Sequence, residues 1–207
     1  KAPIYNLIDL IKNNQVNFCC APIDVSVQHY YPENYFLGVT AYGSVESVYV
    51  EGPNIVNQWQ HPQAEGLHVV VTLSQRPTIG DSYTINYTNS NGCGGKKIYT
   101  VNGINDNFAW LTYPTDGSVI TNTQPTFTWQ PASQTKSYSL VLTDELNNWL
   151  WGEYSIPPNA TSAVCGVSLT PGNKYVLFLH AYDAKGNQAT TYSHFCTAPY
   201  KEEECWK

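Results

Sequence analysis

The chain contains no methionine and a single arginine, Arg76, and charged residues make up only 13% of it. Globular chains usually carry about 25% charged residues, so this surface must rely on hydroxyl and amide groups. The net charge is −6, whereas nucleic-acid recognition needs clustered arginine and lysine. We therefore predict no nucleic-acid partner. Because Lys1 is not a translation start, we also expect that a leader has been removed from an exported, extracellular or cell-surface protein.

Sequence motifs that carry catalysis or hold a metal are also missing. The five histidines show neither HxH nor HExxH spacing, no two cysteines form a CxxC pair, and no GxSxG elbow occurs. Acidic residues are spread along the chain, mostly at turns such as Asp81, Asp116 and Asp183, where a carboxylate caps local backbone. No apolar run approaches the roughly 20 residues of a membrane span. We predict a non-enzyme with no cofactor, no metal and no membrane span.

What the chain does contain is β-strand signal in two groups, and its 207 residues fit two sandwich domains of about 100 residues each. The first group has predicted strands at 24–28, 34–42, 44–51, 67–73, 82–88 and 96–102. The second group has predicted strands at 119–120, 126–129, 137–143, 149–154, 162–167, 174–182 and 188–196. We expect 113–131, a turn cluster followed by alternating residues, to supply the first two strands of the second domain. The predicted boundaries are 1–21 (arm), 22–108, 109–198 and 199–207 (tail).

One stretch, 4–14, has helical periodicity. Ile4, Leu7, Ile8 and Ile11 share one helix face, after Pro3. A helix of this length is not stable alone, so it must dock. It either plugs the end of the first domain or reaches a neighbouring subunit or partner protein.

The second group of strands resembles a fibronectin type III or related Ig-like domain. Residues 169–175 (LTPGNKY), followed by 181–183 and 186–187, resemble the corner, the sixth strand and the last turn of such domains. The resemblance implies that Tyr175 is the corner tyrosine and that Trp129 is the core tryptophan of the second strand. It covers about 85 residues, 112–197, and its motifs indicate fold rather than activity.

The first group of strands resembles bacterial Ig-like modules more loosely. The similarity lies in 80–85 (GDSYTI) and the hairpin around 89–95 (NSNGCGG). The expected fold class is therefore all-β, with two tandem Ig-like and fibronectin type III-like sandwiches and a short N-terminal helix. Tandem modules of this kind are frequent in exported bacterial surface proteins.

An even number of cysteines without metal-binding spacing favours disulfides and an oxidising compartment. The six cysteines are Cys19, Cys20, Cys93, Cys165, Cys196 and Cys205. Our preferred pairing joins Cys165 to Cys196 and gives Cys93 either Cys19 or Cys20. The cysteine left over then meets Cys205, either within the chain, where it fastens the tail, or between two chains.

An aromatic row is predicted on the outer face of the second domain. If Tyr175 faces inward, then Phe178, His180 and Tyr182 face outward. Folding the next strand back places Tyr192 near Phe178 and His194 near Val176. Such a face can stack against a sugar or another protein. Alternatively, it packs against the first domain or the tail.

Four further residues are candidates for binding or modification. Trp59 lies in a polar loop and is a candidate ligand contact, and Trp206 of the tail is a candidate partner contact. Asn86 and Asn159 each begin an N-glycosylation triplet, and the predicted loop position of Asn159 makes it the better acceptor.

Two functions are compatible with these features. The first is a structural or adhesive surface protein that associates with itself or with another surface protein through its N-terminal arm or an edge strand, forming a filament or surface layer. The second is a carbohydrate-binding or enzyme-accessory module that uses the aromatic row.

Overall fold

The computed structural model describes residues 23–41, 45–56, 59–60, 68–89 and 94–206. The predicted helix at 4–14 lies outside these ranges. The same is true of its contact residues and of three cysteines: Ile4, Leu7, Ile8, Ile11, Cys19, Cys20 and Cys93. Within the described ranges the chain forms fifteen strands and one 3-10 turn, Glu202–Glu204, and no α-helix. The predicted all-β class is confirmed.

The chain divides into two compact units. The first ends at Gly103 and the second begins at Ile104, except that the segment Gln28–Pro32 belongs to the second unit. The boundaries 22–108 and 109–198 stay predictions. The five residues Gln28–Pro32 belong to the second unit, although they lie more than seventy positions before Ile104 in the chain.

The first unit contains two sheets. Its strands are β1 (Ile23–Tyr30), β2 (Asn34–Ala41), β3 (Val45–Glu51), β4 (Trp59–Gln60), β5 (His68–Leu73), β6 (Ser82–Asn89) and β7 (Gly94–Thr100). One sheet has the order β1-β2-β5 and the other the order β4-β3-β6-β7. Strand β6 pairs antiparallel with β7, as the hairpin signal around 89–95 predicted. The end of β1, from Gln28 onward, belongs to the second unit.

Period-two alternation builds the core of the first unit. Leu37 and Val39 of β2, Val48 and Val50 of β3, and Ile85 of β6 are fully buried. Each side chain of this kind stabilises the fold by about 1.5–3 kcal/mol on burial. The intervening residues face outward, so the amphipathic pattern fixes which face of each strand packs.

The second unit is a sandwich of a three-stranded and a four-stranded sheet. Its strands are β8 (Trp110–Tyr113), β9 (Ser118–Ile120), β10 (Thr126–Gln130), β11 (Ser137–Asp144), β12 (Trp149–Ile156), β13 (Ser162–Val164), β14 (Lys174–Tyr182) and β15 (Gln188–Thr197). The sheet orders are β13-β10-β8 and β12-β11-β14-β15. Three strands facing four in this order is the fibronectin type III arrangement, which confirms the resemblance.

The start of this sandwich differs from the prediction. Its first strand is β8, which pairs antiparallel with β10, whereas 119–120 was predicted to be the first strand. Strand β9 instead pairs in parallel with the end of β15 in the opposite sheet. A turn at Gly117, with φ of 76°, separates β8 from β9. Strand β8 is mostly exposed and lacks clean alternation, so no periodic signal marked it.

The corner tyrosine and the core tryptophan are confirmed. The Tyr175 hydroxyl accepts a hydrogen bond from the Thr170 backbone N–H at 2.9 Å and donates one to the Thr170 carbonyl at 3.1 Å. Trp129 is buried, with its ring centroid 5.7 Å from that of Tyr138. Trp151 packs against the same core. These contacts join the loop before β14 to the interior.

The predicted pairing of Cys165 with Cys196 is wrong, whereas that of Cys93 with Cys19 or Cys20 lies outside the described residues. Cys196 pairs with Cys205, nine positions later in the tail, with a Cα–Cα separation of 5.9 Å. Cys165 is a free, buried thiol in the core, and burial raises its pKa. The tail turns back along β15, so Cys205 reaches Cys196, whereas Cys165 follows β13 in the other sheet. A bridge from Cys205 to Cys19 or Cys20 is therefore ruled out as well.

Candidate ligand-binding face of the second unit

The aromatic row lies on the outer face of the four-stranded sheet. Strands β14 and β15 pair antiparallel with Phe178 opposite Tyr192 and Val176 opposite His194, which confirms the predicted register. Leu177, between the two β14 residues, is fully buried in the core. The role of this face in ligand binding stays a prediction.

Neighbouring rings of the row are in contact. Phe178 stacks parallel to His180 at a centroid distance of 6.2 Å and tilts against Tyr192 at 6.0 Å. Tyr192 meets His194 edge-on at 5.3 Å, and His194 contacts Trp206 at 4.5 Å. The tail tryptophan therefore extends the row by one ring.

A buried polar network fixes one end of the row. The Nδ1 atom of His180 lies 2.9 Å from the Thr190 hydroxyl and 2.8 Å from the Gln188 side-chain amide. Tyr30 packs on this group, 6.2 Å from the His180 ring centroid. Burial raises the pKa of Tyr30, against the opposing effect of its hydrogen bond with Gln188. Each of these four groups has a hydrogen-bond partner within the network, so this end of the row is a rigid support.

Accessibility differs along the row. His180 is only 9% exposed, and Tyr182 is half-buried with its hydroxyl 3.2 Å from that of Ser139. Burial raises the pKa of Tyr182. Tyr192, in contrast, projects into solvent. Tyr192 is therefore more accessible than the predicted contacts His180 and Tyr182.

Two exposed rings that the sequence analysis missed lie beside Tyr192. Tyr31 and Trp110 meet edge-on at 4.8 Å, and both contact Phe108, at 5.7 and 6.0 Å. Tyr31, Trp110 and Tyr192 are 46%, 43% and 40% exposed. Tyr31 reaches this face because Gln28–Tyr30 pairs in parallel with β15, with the Tyr31 N–H donating to the Thr190 carbonyl at 2.9 Å. Clusters of exposed aromatic side chains commonly mark binding surfaces.

Two open grooves flank Tyr192. The first groove, of about 330 Å³, has walls formed by Tyr31, Trp110 and Tyr192 and carries Asp116. The second groove, of about 270 Å³, is lined by Glu145, Asn147, Val176, Phe178, Tyr192, His194 and Trp206. Tyr192 is common to both, so a ligand that lies across it can occupy both grooves.

A carboxylate of the first groove, that of Asp116, is held by His194 of the second groove. Asp116 Oδ1 accepts a hydrogen bond from the His194 backbone N–H at 2.8 Å and lies 3.0 Å from His194 Nδ1. The Asp116 side chain is 71% exposed. It follows that the aspartate is held in position by the protein while most of its surface faces solvent.

The tail forms one wall of the second groove. The Trp206 indole N–H donates to the Phe195 carbonyl at 3.2 Å, and the Cys196–Cys205 bridge holds the preceding residue. Lys174 Nζ lies 5.8 Å from the Trp206 ring centroid and 5.7 Å from that of Tyr200. Trp206, predicted as a partner contact, thus packs within its own chain. The predicted packing of the row against the tail is confirmed at His194.

The remaining candidate residues lie elsewhere. Asn159 is exposed in the turn after β12, and Asn86 lies on the middle strand β6 with its amide donating to Glu51 at 3.3 Å. Trp59 was predicted to lie in a polar loop, but it begins the short strand β4, which pairs with β3. Among the described residues, no cluster of His, Cys, Asp or Glu could hold a metal ion. The same residues include no helix long and apolar enough to cross a membrane.

Comparison with known proteins found similar solved structures but no relatives by sequence. No protein-family model matches the chain, and no curated protein sequence does. Similar solved structures include the BSP domain of a biofilm associated protein (16% identity, TM-score 0.30, 86% of this chain and 30% of that chain). They also include a two-domain fibronectin type III segment of chicken tenascin (12%, TM-score 0.35, 84% and 98%). A third is the FN1–FN3 segment of chicken CNTN1 (17%, TM-score 0.32, 87% and 68%).

The chain spans about 30% of the biofilm associated protein chain. At these TM-scores the fold assignment rests on strand order, with β13-β10-β8 facing β12-β11-β14-β15. The class that this order defines is an all-β protein whose second unit has the fibronectin type III arrangement.

Proposed function

We propose that the chain is a non-enzymatic, extracellular adhesive module that binds carbohydrate on the outer face of its second unit. The observation that carries the proposal is the pair of open grooves on either side of the exposed Tyr192 ring, with Tyr31 and Trp110 forming the far wall of the first.

The chemistry of this face suits a sugar. The faces of aromatic rings stack on the C–H faces of pyranose rings, while polar groups at the edge take up the hydroxyls. Tyr192 supplies a ring, and Asp116 and Asn147 supply polar groups at the edges of the grooves. Both grooves are open to solvent rather than enclosed, which favours an extended chain over a small buried ligand.

An extracellular setting supports the proposal. The Cys196–Cys205 bridge is a structural disulfide that fastens the tail, and such bridges persist in oxidising compartments. A surface poor in charge and rich in hydroxyl groups also fits a protein that functions outside the cell.

The test is a glycan array followed by calorimetric titration of the strongest ligand against two variants. Tyr192→Ala removes the ring shared by both grooves and should weaken binding by tenfold or more, since stacking rings dominate such sites. Tyr154→Ala is the matched control, because Tyr154 is an exposed tyrosine on a strand of the same unit and lines neither groove. Equal affinities of the two variants, or an array without any bound glycan, would refute the proposal.

Self-association through an edge strand is the second candidate function. Strand β12 is at the edge of its sheet and exposes Trp149 and Tyr154, at 62% and 61%. The ladder between β11 and β12 shifts register twice, and Ser155 has a φ of 59°. Bulges of this kind hinder strand addition, so any partner contact there uses side chains rather than backbone pairing. Association through the N-terminal arm at 4–14 also stays a hypothesis.

Light scattering tests the second candidate. Trp149→Lys places a charge on the exposed edge and should convert an oligomer to monomer, while Tyr192→Lys should leave the mass unchanged. A wild-type chain that stays monomeric at high concentration would rule out this route.

A further inference from the structure

The charge of the two grooves defines the class of glycan, provided that the carbohydrate-binding function proposed above is correct. The first groove carries Asp116 and the second carries Glu145. Of the described residues that line the two grooves, none is lysine or arginine. Lys174 lies over the Trp206 and Tyr200 rings, at 5.8 and 5.7 Å from their centroids. Both grooves therefore present aromatic walls with a carboxylate at the edge.

This combination of groups recognises ammonium ions. A cation is attracted to the face of an aromatic ring within about 6 Å of its centroid, and a carboxylate adds a charge-assisted hydrogen bond. A neutral sugar would gain the stacking and donate hydroxyl hydrogen bonds to the carboxylates, but it would leave their negative charges unpaired. A sugar acid or a sulfated sugar would meet like charge at both grooves, on a chain whose net charge is −6.

The hydrogen bonds of Asp116 orient its carboxylate and involve only one of its two oxygens. Its Oδ1 atom is held by the His194 backbone N–H and ring, which fixes the orientation of the carboxylate. Its side chain is mostly exposed, so the other oxygen can accept from a ligand. Glu145 is exposed in the turn after β11, at the far side of Tyr192 from the first groove.

We infer that the ligand is a glycan bearing primary amino groups, of the glucosamine type. Its sugar rings lie across Tyr192, and one ammonium group is directed to Asp116 and another to Glu145. Binding at both grooves needs at least two amino sugars in one chain, so affinity should rise with oligosaccharide length until both grooves are filled.

The test compares two ligands that differ in the N-acetyl group and therefore in charge. Chitin oligosaccharides carry acetylated, neutral nitrogen, and chitosan oligosaccharides of the same length carry ammonium. Calorimetric titration of the full chain should give tighter binding of the chitosan oligosaccharide by about tenfold, since two exposed ion pairs contribute about threefold each. The preference should decrease as salt is raised.

Charge-removing variants locate the effect. Asp116→Asn keeps the acceptor oxygen for His194, and Glu145→Gln keeps the size of the side chain. The double variant should bind the chitosan oligosaccharide about tenfold more weakly and the chitin oligosaccharide unchanged. Glu46→Gln, an exposed glutamate of the first unit, is the control for loss of charge and should match wild type.

The outcomes separate the two claims. Equal binding of both oligosaccharides, with no effect of salt, would overturn the inference and leave the carbohydrate-binding proposal intact. Preference for chitosan that survives in the double variant would also overturn it, because the charge would then act elsewhere. If neither oligosaccharide binds and no glycan on the wider array binds, the proposed function itself is refuted. Thermal unfolding of each variant confirms that the fold is retained.

Discussion

The two faces of strands β14 and β15 differ sharply although they alternate along the same residues. The inner face, with Leu177, Leu179 and Phe195, is fully buried and makes the core of the second unit. The outer face carries Phe178 and Tyr192 over a buried polar network. Period-two alternation therefore separates the core residues from those of the proposed binding face, and substitutions on the two faces should have different effects.

The largest effect on stability is expected on the inner face. Leu177→Ala leaves a cavity among the core side chains and should lower the free energy of unfolding by about 2–5 kcal/mol. Urea denaturation measures this change. The paired outer-face variant Tyr192→Ala should cost less than about 1 kcal/mol while it weakens glycan binding. If Tyr192→Ala were as destabilising as Leu177→Ala, the two faces would not be separable.

The tail bridge gives the next largest effect. Cys205→Ser opens a loop of about ten residues and should lower the free energy of unfolding by about 2–3 kcal/mol on a chain-entropy estimate. It should also release Trp206 from His194 and weaken binding in the second groove. Chemical denaturation under oxidising and reducing conditions provides the control, because reduction should remove the difference between wild type and the variant. A variant as stable as oxidised wild type would show that the tail is not fastened by this bridge.

Two buried tyrosines differ in whether their hydroxyl group makes a hydrogen bond. Tyr175→Phe removes both hydrogen bonds to Thr170 and should cost about 1–3 kcal/mol. The Tyr83 hydroxyl of the first unit is buried without a hydrogen-bond partner in the described part of the chain, so Tyr83→Phe should be neutral or stabilising. Both are measured by thermal unfolding. Equal losses in the two variants would contradict the hydroxyl assignment.

The smallest effect is expected from alkaline pH. Burial raises the pKa of Tyr83 to about 12 and also raises those of Tyr30 and Tyr182. The unfolded chain, with ordinary tyrosine pKa values near 10, loses these protons first. The contribution of these tyrosines to the free energy of unfolding is therefore complete below a pH of about 10. Above this pH it is lost, by less than about 1 kcal/mol per tyrosine at a pH of about 10.5.

Denaturation across this pH range, combined with tyrosinate absorbance, checks the prediction. The triple variant with phenylalanine at positions 30, 83 and 182 is the control and should show a flatter decline. Stability that rises with pH above about 10 would have the wrong sign for buried neutral tyrosines.

The sequence predicted the part of the site that depends on local pattern. Alternation along β14 and the short turn from Asp183 to Asn187 fix the register that places Tyr192 beside Phe178. The motif at 169–175 likewise identified Tyr175. Both depend on interactions between residues close in the chain, which a period and a turn signature encode.

The rest of the site depends on distant contacts that no local pattern encodes. Tyr31 reaches the face because a short segment of β1 pairs with β15, more than 150 positions later in the chain. Trp110 lies on a strand without alternation. Disulfide connectivity is set by which cysteines meet in space, and the return of the tail decides that Cys196 meets Cys205.

The central claim is that ligand binds across Tyr192 on the outer face of the second unit. Nuclear magnetic resonance titration of the isotope-labelled chain with the strongest oligosaccharide from the array tests it most directly. Backbone and ring signals of Tyr31, Trp110, Tyr192 and His194 should shift together and saturate, while those of β6 and β7 in the first unit should stay in place. Shifts confined to the first unit, or to the edge strand β12, would contradict the claim.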